Sequence, residues 1–227
     1  MFDGGVKKRI LVVAPHPDDE TLGVGGTIAK CVASGHRVTV AFVSGHLPPL
    51  YPREAYDRTV REATAALAIL GVQETLTLEI PATFVGAELV HVLNGRIGSV
   101  VAESRPDVVL TCFPDRHIDH RVIFESVMVA TRPVGDARAI EMVAAYETLS
   151  ETHWNAPFVE ANFTPNWVVD VTAHIDQKLR ALACYESQVS PFPGSRSVEA
   201  VEALAKFRGT QAGFAFGEAL QILRMRS

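Results

Sequence analysis

Two short segments of this chain carry side chains that could do chemistry. The first is Pro15-His16-Pro17-Asp18-Asp19-Glu20, and the second is His117-Ile118-Asp119-His120. Imidazole nitrogens and carboxylate oxygens are ligands of zinc and similar divalent ions, and a site with three protein ligands keeps a position open for water. Such an ion polarises an acyl oxygen, and a free carboxylate beside it can act as a base. Together the two segments predict a catalytic metal site.

Each segment taken alone also has a simpler explanation. Asp18 or Asp19 could cap the helix that follows, and Glu20 would favour the positive end of that helix. His117 and His120 could belong to a polar surface turn. A shared metal site requires that both segments reach the same edge of the fold.

Short apolar runs alternate with helical patterns, and this alternation predicts the fold class. We predict strands over Arg9–Ala14, Arg37–Val43, Thr75–Ile80, Val108–Phe113 and Ile140–Tyr146. We predict helices over Glu54–Leu70, ended by Gly71, and over Leu89–Ser104 and Ile118–Thr131. Apolar strands separated by helices imply an α/β, Rossmann-like three-layer fold, with a mostly parallel sheet and helices on both faces. Ligands of such sheets bind outside the carboxyl ends of the strands, where both segments would lie.

The C-terminal third has weaker patterns. We expect a strand over Trp167–Val171, a helix from Ile175 to Ala183 and a helix over Val198–Phe207, while Phe214–Leu223 fits a strand or a helix. The sequence contains no internal repeat, low-complexity tract or linker. Residues 1–227 are therefore predicted to form one domain.

Composition limits the possible partners and compartments. The net charge is -5 and no run of Lys or Arg could follow a phosphate backbone, which argues against nucleic acid. No apolar segment reaches the length of a membrane span, and we expect a cytoplasmic protein. Cys31, Cys112 and Cys184 lack the spacing of a disulfide framework or a thiolate zinc site, so we expect buried free thiols.

Three glycines follow the first segment and raise the question of nucleotide binding. They are Gly23, Gly25 and Gly26, and the dinucleotide fingerprint would need another glycine where Ile28 stands. The acidic bend would also repel a pyrophosphate. We expect these glycines to let the first helix pack closely on the sheet.

The paired motifs resemble those of the zinc-dependent N-acetylglucosaminyl deacetylases known as PIG-L or LmbE-like. Further similarity lies in Arg58 to Gly71, in Tyr146-Glu147-Thr148 and in Cys184 to Gln188. The family usually has alanine where Pro15 stands and often proline where Ile118 stands, but neither departure removes a functional group. The resemblance implies that His16, Asp19 and His120 bind one Zn²⁺, that Asp18 is the general base, and that His117, oriented by Asp119, stabilises the oxyanion.

The resemblance also implies an activity and a substrate class. The expected reaction removes an acetyl or longer acyl group from a small amino-sugar molecule. Arg58, Arg61 and His46 are candidate substrate contacts, although either arginine could instead pair with Glu54 or Glu62. A two-metal phosphoesterase and a non-catalytic zinc- or sugar-binding module remain alternatives. Relatives assemble in several ways, so a homo-oligomer is also considered.

Overall fold

The computed structural model describes residue 2 and residues 5–226, and a sheet of 7 strands forms its centre. The strands are β1 Arg9–Ala14, β2 Arg37–Gly45, β3 Glu74–Pro81, β4 Val108–Cys112, β5 Met142–Tyr146, β6 Trp167–Asp170 and β7 Gly217–Met225. Their order is β3-β2-β1-β4-β5-β7-β6. Strands β1 to β5 pair in parallel, whereas β7 runs antiparallel to both β5 and β6. The predicted mostly parallel sheet is confirmed.

Helices cover both faces of the sheet. They are α1 Asp19–Ala33, α2 Arg53–Leu70, α3 Val90–Ser104, α4 Ile118–Ala130, α5 Ile175–Ala183 and α6 Val198–Thr210. Successive residues of a strand point to opposite faces. In β1, Ile10 and Val12 accordingly join the core formed with α1, α2 and α5, while Leu11 and Val13 join the core formed with α3 and α4. The predicted three layers are confirmed.

The structure shows that the segment predicted as either a strand or a helix is mostly a strand. The stretch that fitted either a strand or a helix contains most of β7, which lies between β5 and β6. Leu220 of β7 is fully buried and pairs with Tyr146 of β5. The open edge of β5 needs partners for its buried backbone groups, and β7 supplies them.

The three glycines of α1 lie at close contacts, as expected for tight packing. A Cβ added at Gly23 would lie 2.3 Å from Cδ2 of Tyr146, and one added at Gly26 would lie 2.8 Å from Cβ of Val171. Both contacts are with the sheet or the chain that leaves it. Gly25 differs, because its added Cβ would face the side chain of Lys178 on α5 at 3.2 Å.

A buried ion pair locks the same part of α1 to β7. Nζ of Lys178 lies 2.6 Å from Oε1 of Glu218, and both side chains are almost fully buried. Glu218 also accepts the backbone N–H groups of Gly26 and Thr27, and Lys178 donates to the carbonyl of Leu22. These bonds satisfy both charges, which burial requires.

Two further expectations can be compared with the described residues. Among them, no helix is both long enough and apolar enough to cross a membrane. Cys31 and Cys112 are buried as predicted. Cys184 is only partly buried, because it lies just past the end of α5 and its thiol contacts the carbonyl of Arg180 at the outer end of that helix.

Candidate active site

Both predicted segments lie at the carboxyl ends of neighbouring central strands. His16 follows β1, and His117 to His120 follow β4 and begin α4. The chain order reverses between β1 and β4, since β2 and β3 lie on one side and β5 on the other. A crevice forms at such a reversal point and is the usual ligand site of an open α/β sheet.

Three of the predicted ligand atoms lie around one point. Oδ2 of Asp19 is 3.2 Å from Nδ1 of His16 and 3.2 Å from Nε2 of His120. With metal–ligand bonds of about 2.0–2.2 Å, neighbouring ligands of a tetrahedral zinc ion lie roughly 3.3–3.5 Å apart. The donor types and these two separations therefore fit a zinc ion.

Each of the two imidazoles has a second carboxylate on its other ring nitrogen. Nε2 of His16 lies 3.0 Å from Oδ2 of Asp119, and Nδ1 of His120 lies 2.9 Å from Oδ1 of Asp115. Metal-ligating histidines commonly donate their other N–H to a carboxylate, which sets the tautomer and the orientation of the ring. Asp115 had no assigned role in the sequence, although it stands just before His117.

His117 is the third histidine of the group. His16, His117 and His120 can each offer a ligand atom within 4.8 Å of one another. The backbone N–H of Asp119 donates to Nδ1 of His117 at 3.2 Å, as the N-cap bond of α4. Nδ1 must then be unprotonated, so a neutral His117 carries its proton on Nε2. In this tautomer Nε2 of His117 is a hydrogen-bond donor.

Asp119 contacts His117 through its backbone and not through its carboxylate. The carboxylate oxygen Oδ2 meets His16 and also accepts the backbone N–H of Thr83 at 2.7 Å. The orienting contact between Asp119 and His117 thus lies in the first turn of α4, while the Asp119 side chain orients His16.

Asp18 is buried beside this group, with 3% of its surface exposed. It is the N-cap residue of α1, yet its side chain makes no capping hydrogen bond. Its φ of 124° is one that non-glycine residues rarely adopt, and it costs about 1–3 kcal/mol. Oε2 of Glu20 accepts the Asp18 backbone N–H at 3.1 Å and helps to hold the bend. The structure therefore does not favour the simpler explanation that Asp18 caps the helix.

The carboxylates make the group attractive to positive charge. Burial by itself lowers the pKa of His16, but hydrogen bonds to Asp119 and Asp19 outweigh it and raise this pKa to about 9. Burial also lowers the pKa of His120, but the charge of Asp19 and the contact with Asp115 raise it to about 10. A field that stabilises two protonated imidazoles would also stabilise a divalent cation.

The pKa values of Asp18 and His117, which lie outside the predicted ligand set, are shifted in opposite directions. Burial, followed by the charge of Asp19, raises the pKa of Asp18 well above its usual value. Burial and the charges of His16 and His120 lower the pKa of His117 to about 4. His117 is therefore neutral near pH 7, and Asp18 is a carboxyl group that can hold a proton more readily than an exposed one.

The candidate substrate contacts differ in their placement. His46 directly follows β2, and the backbone N–H of Ser44 on that strand donates to the carbonyl of Pro15 at 2.9 Å. The His46 ring is tilted against that of Tyr51, with ring centroids 4.5 Å apart, and burial, followed by the charges of His16 and Arg196, lowers the pKa of His46. His46 therefore lies close to the site.

Arg58 and Arg61 are exposed on α2, and the structure gives neither a hydrogen bond nor an ion pair with any described residue. Glu62, one of the expected partners, instead accepts hydrogen bonds from the backbone and hydroxyl of Ser187. The structure thus brings neither arginine into contact with the histidine group.

Sequence reasoning missed Arg196. Its Nε lies 3.5 Å from Oδ2 of Asp18, and its Nη2 lies 3.9 Å from Oε1 of Glu151. No local pattern marks Arg196, because it comes from the loop that precedes α6, far along the chain from Asp18.

The fold and the site define a Rossmann-like α/β protein that can bind a metal ion beside a buried carboxylate. The family model of PIG-L, GlcNAc-PI de-N-acetylase, matches residues 11–131, which include both motifs. The chain belongs to this family, as its two motifs suggested.

Curated relatives are deacetylases. A 1D-myo-inositol 2-acetamido-2-deoxy-alpha-D-glucopyranoside deacetylase of Mycobacterium sp. (strain JLS) is 30% identical, over 83% of this chain and 77% of the relative. The diacetylchitobiose deacetylase of Thermococcus kodakarensis is 28% identical, over 95% of this chain and 83% of the relative.

Solved structures that share the fold of this chain include an enzyme named for a different reaction. The 4-carboxy-2-hydroxymuconate hydratase of Pseudomonas putida superposes with a TM-score of 0.77 at 21% identity, over 96% of this chain and 97% of the hydratase. Fold similarity alone therefore does not decide the chemistry, which must be argued from the site.

Proposed function

We propose that this chain is a zinc-dependent hydrolase that removes the acetyl group from a small molecule containing N-acetylglucosamine, with residues 1–227 acting as one domain. The observation that carries the proposal is the placement of three donor atoms around one point, with the uncoordinated carboxyl group of Asp18 buried beside them. The deacetylase relatives support the same reaction class.

The metal would be held by His16, Asp19 and His120. Their two imidazoles are each backed by a carboxylate, and the proton on Nε2 of His117 leaves that residue outside the ligand set. Bound there, the ion supplies a Lewis acid that polarises the amide carbonyl and makes water more acidic.

Asp18 and His117 would carry the proton transfer and the charge stabilisation. Asp18 accepts a proton from the water that attacks the amide carbonyl, and its raised pKa lets it hold that proton after the attack. Nε2–H of His117 donates to the oxygen that becomes negative. The amide C–N bond then breaks, the nitrogen takes the proton that Asp18 accepted from the water, and acetate and a free amine leave.

The sugar contacts are the next part of the proposal. His46 is the best placed of the three candidates, because it directly follows β2, and the backbone N–H of Ser44 on that strand donates to the carbonyl of Pro15 beside His16. Arg58 and Arg61 would meet only a larger substrate that extends over α2, where both are exposed.

A single-metal site favours amide hydrolysis over the phosphoesterase alternative. Within the described part of the chain, the one group of side chains found able to hold a metal ion is that of His16, His117 and His120. Two-metal phosphoesterases need a second ion about 3.5–4 Å from the first. The proposed role of Asp18 as a base that does not bind the metal also argues against a module that only binds zinc or sugar.

The test is the variant Asp18→Asn, which keeps the side-chain size and tolerates a positive φ better than alanine. We expect it to retain about one zinc ion per chain, as in catalytic sites with three protein ligands, while acetate release falls about 10²- to 10⁴-fold. Metal content is measured by elemental analysis, and acetate release with a panel of N-acetylglucosaminides. Full activity of the variant, or no acetate release by the zinc-loaded wild-type protein, would contradict the proposal.

A further inference from the structure

An open pocket of about 510 Å³ lies at the amino ends of the central strands, opposite the edge that carries the metal-binding group. It borders Arg9 at the start of β1, Pro106 just before β4 and Ile140 just before β5. Its volume falls within the roughly 300–1,000 Å³ of small-molecule sites. We call it the amino-end pocket, and no residue of the proposed reaction lines it.

Two ordered walls form the amino-end pocket. The first is one face of α3, where residues spaced by three and four positions line it: Gly98, Val101, Ala102 and Arg105. A Cβ added at Gly98 would meet nothing within 4 Å, so this face is open there. The second wall is the short helical segment Gly135–Ala139 between α4 and β5, and a side-chain N–H of Arg226 donates to the carbonyl of Arg138 within it.

The inner surface of the pocket is apolar. Val101 and Ile140, which also belong to the core between the sheet and α3 and α4, both reach it. Ala102, Ala130 and Ala137 add further methyl groups. The apolar part of a ligand that packs on this surface leaves water, and its transfer favours binding in proportion to the area buried.

The charges at the rim of the pocket leave one positive charge in excess. Arg9 is balanced by Asp107, with 3.0 Å between Nη2 and Oδ1. Arg105 and Arg138 are exposed, and the structure gives neither guanidinium a hydrogen bond or an ion pair with any described residue. Asp136 is the one carboxylate among the described lining residues. A ligand with a single negative charge would neutralise the excess, and a guanidinium can bind a carboxylate through two parallel hydrogen bonds.

We propose that the amino-end pocket binds a small organic monocarboxylate. The apolar body of the ligand packs on Val101 and Ile140, and its carboxylate meets the guanidinium groups of Arg105 and Arg138. The site lies at the far edge of the sheet from the metal-binding group, so the inference does not depend on the proposed hydrolysis.

The first test fills the pocket and measures binding of 1-naphthoate by calorimetric titration. Gly98→Leu places a side chain in the open space on the α3 wall, and we expect it to weaken naphthoate binding about 10-fold or more. The matched control is Gly95→Leu, one turn earlier on α3, where an added Cβ also meets nothing within 4 Å but the residue does not line the pocket. Both changes favour the helix alike, and the control should keep the wild-type Kd within about 2-fold. No binding by the wild type, or equal Kd values for the two variants, would overturn the proposal.

The second test addresses the charge of the ligand. The double variant Arg105→Gln, Arg138→Gln removes both unpaired guanidinium groups, and circular dichroism confirms that it folds. We expect its Kd for 1-naphthoate to rise about 3- to 30-fold, while its Kd for the neutral 1-naphthalenemethanol stays within about 2-fold of the wild type. Wild-type binding of 1-naphthoate should also weaken with added salt, because the charges involved are exposed. An unchanged naphthoate Kd in the double variant, or tighter wild-type binding of the dianion 1-naphthyl phosphate than of 1-naphthoate, would overturn the assignment to a monocarboxylate.

Discussion

Replacement of Asp115 by asparagine tests how the buried carboxylates support the metal group. The Asp115 side chain is fully buried, with Oδ1 2.9 Å from Nδ1 of His120. Oδ1 also accepts the backbone N–H of His117 at 3.1 Å, and Oδ2 accepts the hydroxyl of Thr152 at 2.8 Å. Asparagine keeps the size of the side chain and one acceptor oxygen, so the main change is the loss of the negative charge beside His120.

The expected effect is weaker zinc binding. Burial lowers the pKa of His120, but the charge of Asp19 and then the contact with Asp115 raise it. Without the charge of Asp115, His120 becomes a poorer electron donor and loses its preferred tautomer. Loss of such an outer partner lowers metal affinity about 10- to 100-fold, which corresponds to about 1.4–2.7 kcal/mol.

The assay is a zinc titration against a competing chelator at fixed pH, with circular dichroism to confirm folding. Asp107→Asn is the matched control, because Asp107 precedes the opposite end of β4 and pairs there with Arg9, at 3.0 Å between Oδ1 and Nη2. The control removes the same charge from the same segment of chain but should leave the zinc Kd unchanged. Equal zinc affinity of Asp115→Asn and Asp107→Asn would refute the reasoning.

Three further predictions concern the ligands, the packing of α1 and the response to acid. His16→Ala and His120→Ala should each reduce bound zinc far below the roughly one ion per chain of a three-ligand site; wild-type metal content in either variant would contradict the ligand assignment. Gly26→Ala places its Cβ 2.8 Å from a neighbouring side chain and should cost about 1–3 kcal/mol in urea unfolding. Its control, Gly98→Ala in α3, meets nothing within 4 Å and should gain about 0.5–1 kcal/mol; equal effects of the two would count against the packing argument. Burial raises the pKa of Glu147, but hydrogen bonds from a histidine and an arginine outweigh it and hold this pKa below the usual 4.5. Its stabilising contribution is therefore complete above that pH and is lost as the pH falls through the lower folded value. Glu147→Gln should weaken the acid dependence of the unfolding midpoint, and an unchanged slope would exclude this carboxyl group as a source.

Local patterns predicted the first two thirds of the fold well. The predicted bounds of β1 match the structure, and α2 begins one residue before its predicted start and ends at the left-handed Gly71, with φ of 81°. These elements are marked by continuous apolar runs or by terminal signals that act within a few residues. The segment of β7 carries no such signal, and its strand conformation depends on pairing with β5.

The candidate site likewise has residues that local patterns predicted and residues that only long-range contacts bring together. Residue types and spacing singled out the two segments that contain His16, Asp19 and His120. The family resemblance implied that these three residues are the ligands and that Asp18 is the base. The outer carboxylate contact of Asp115 and the position of Arg196 beside Asp18 were not foreseen. Both depend on how loops from separate strands and helices meet above the sheet.

Two polar segments with residue types typical of metal sites follow two buried strands. This arrangement can be inferred from the chain alone, because strand apolarity and donor spacing are local properties. The tertiary structure alone decided which carboxylate faces which imidazole. His16 and Asp119 are 103 positions apart, and their contact exists only because β1 and β4 are neighbours where the chain order reverses. A parallel sheet aligns the carboxyl ends of strands that are distant in sequence, and at this edge it brings together the imidazoles and carboxylates of the candidate site.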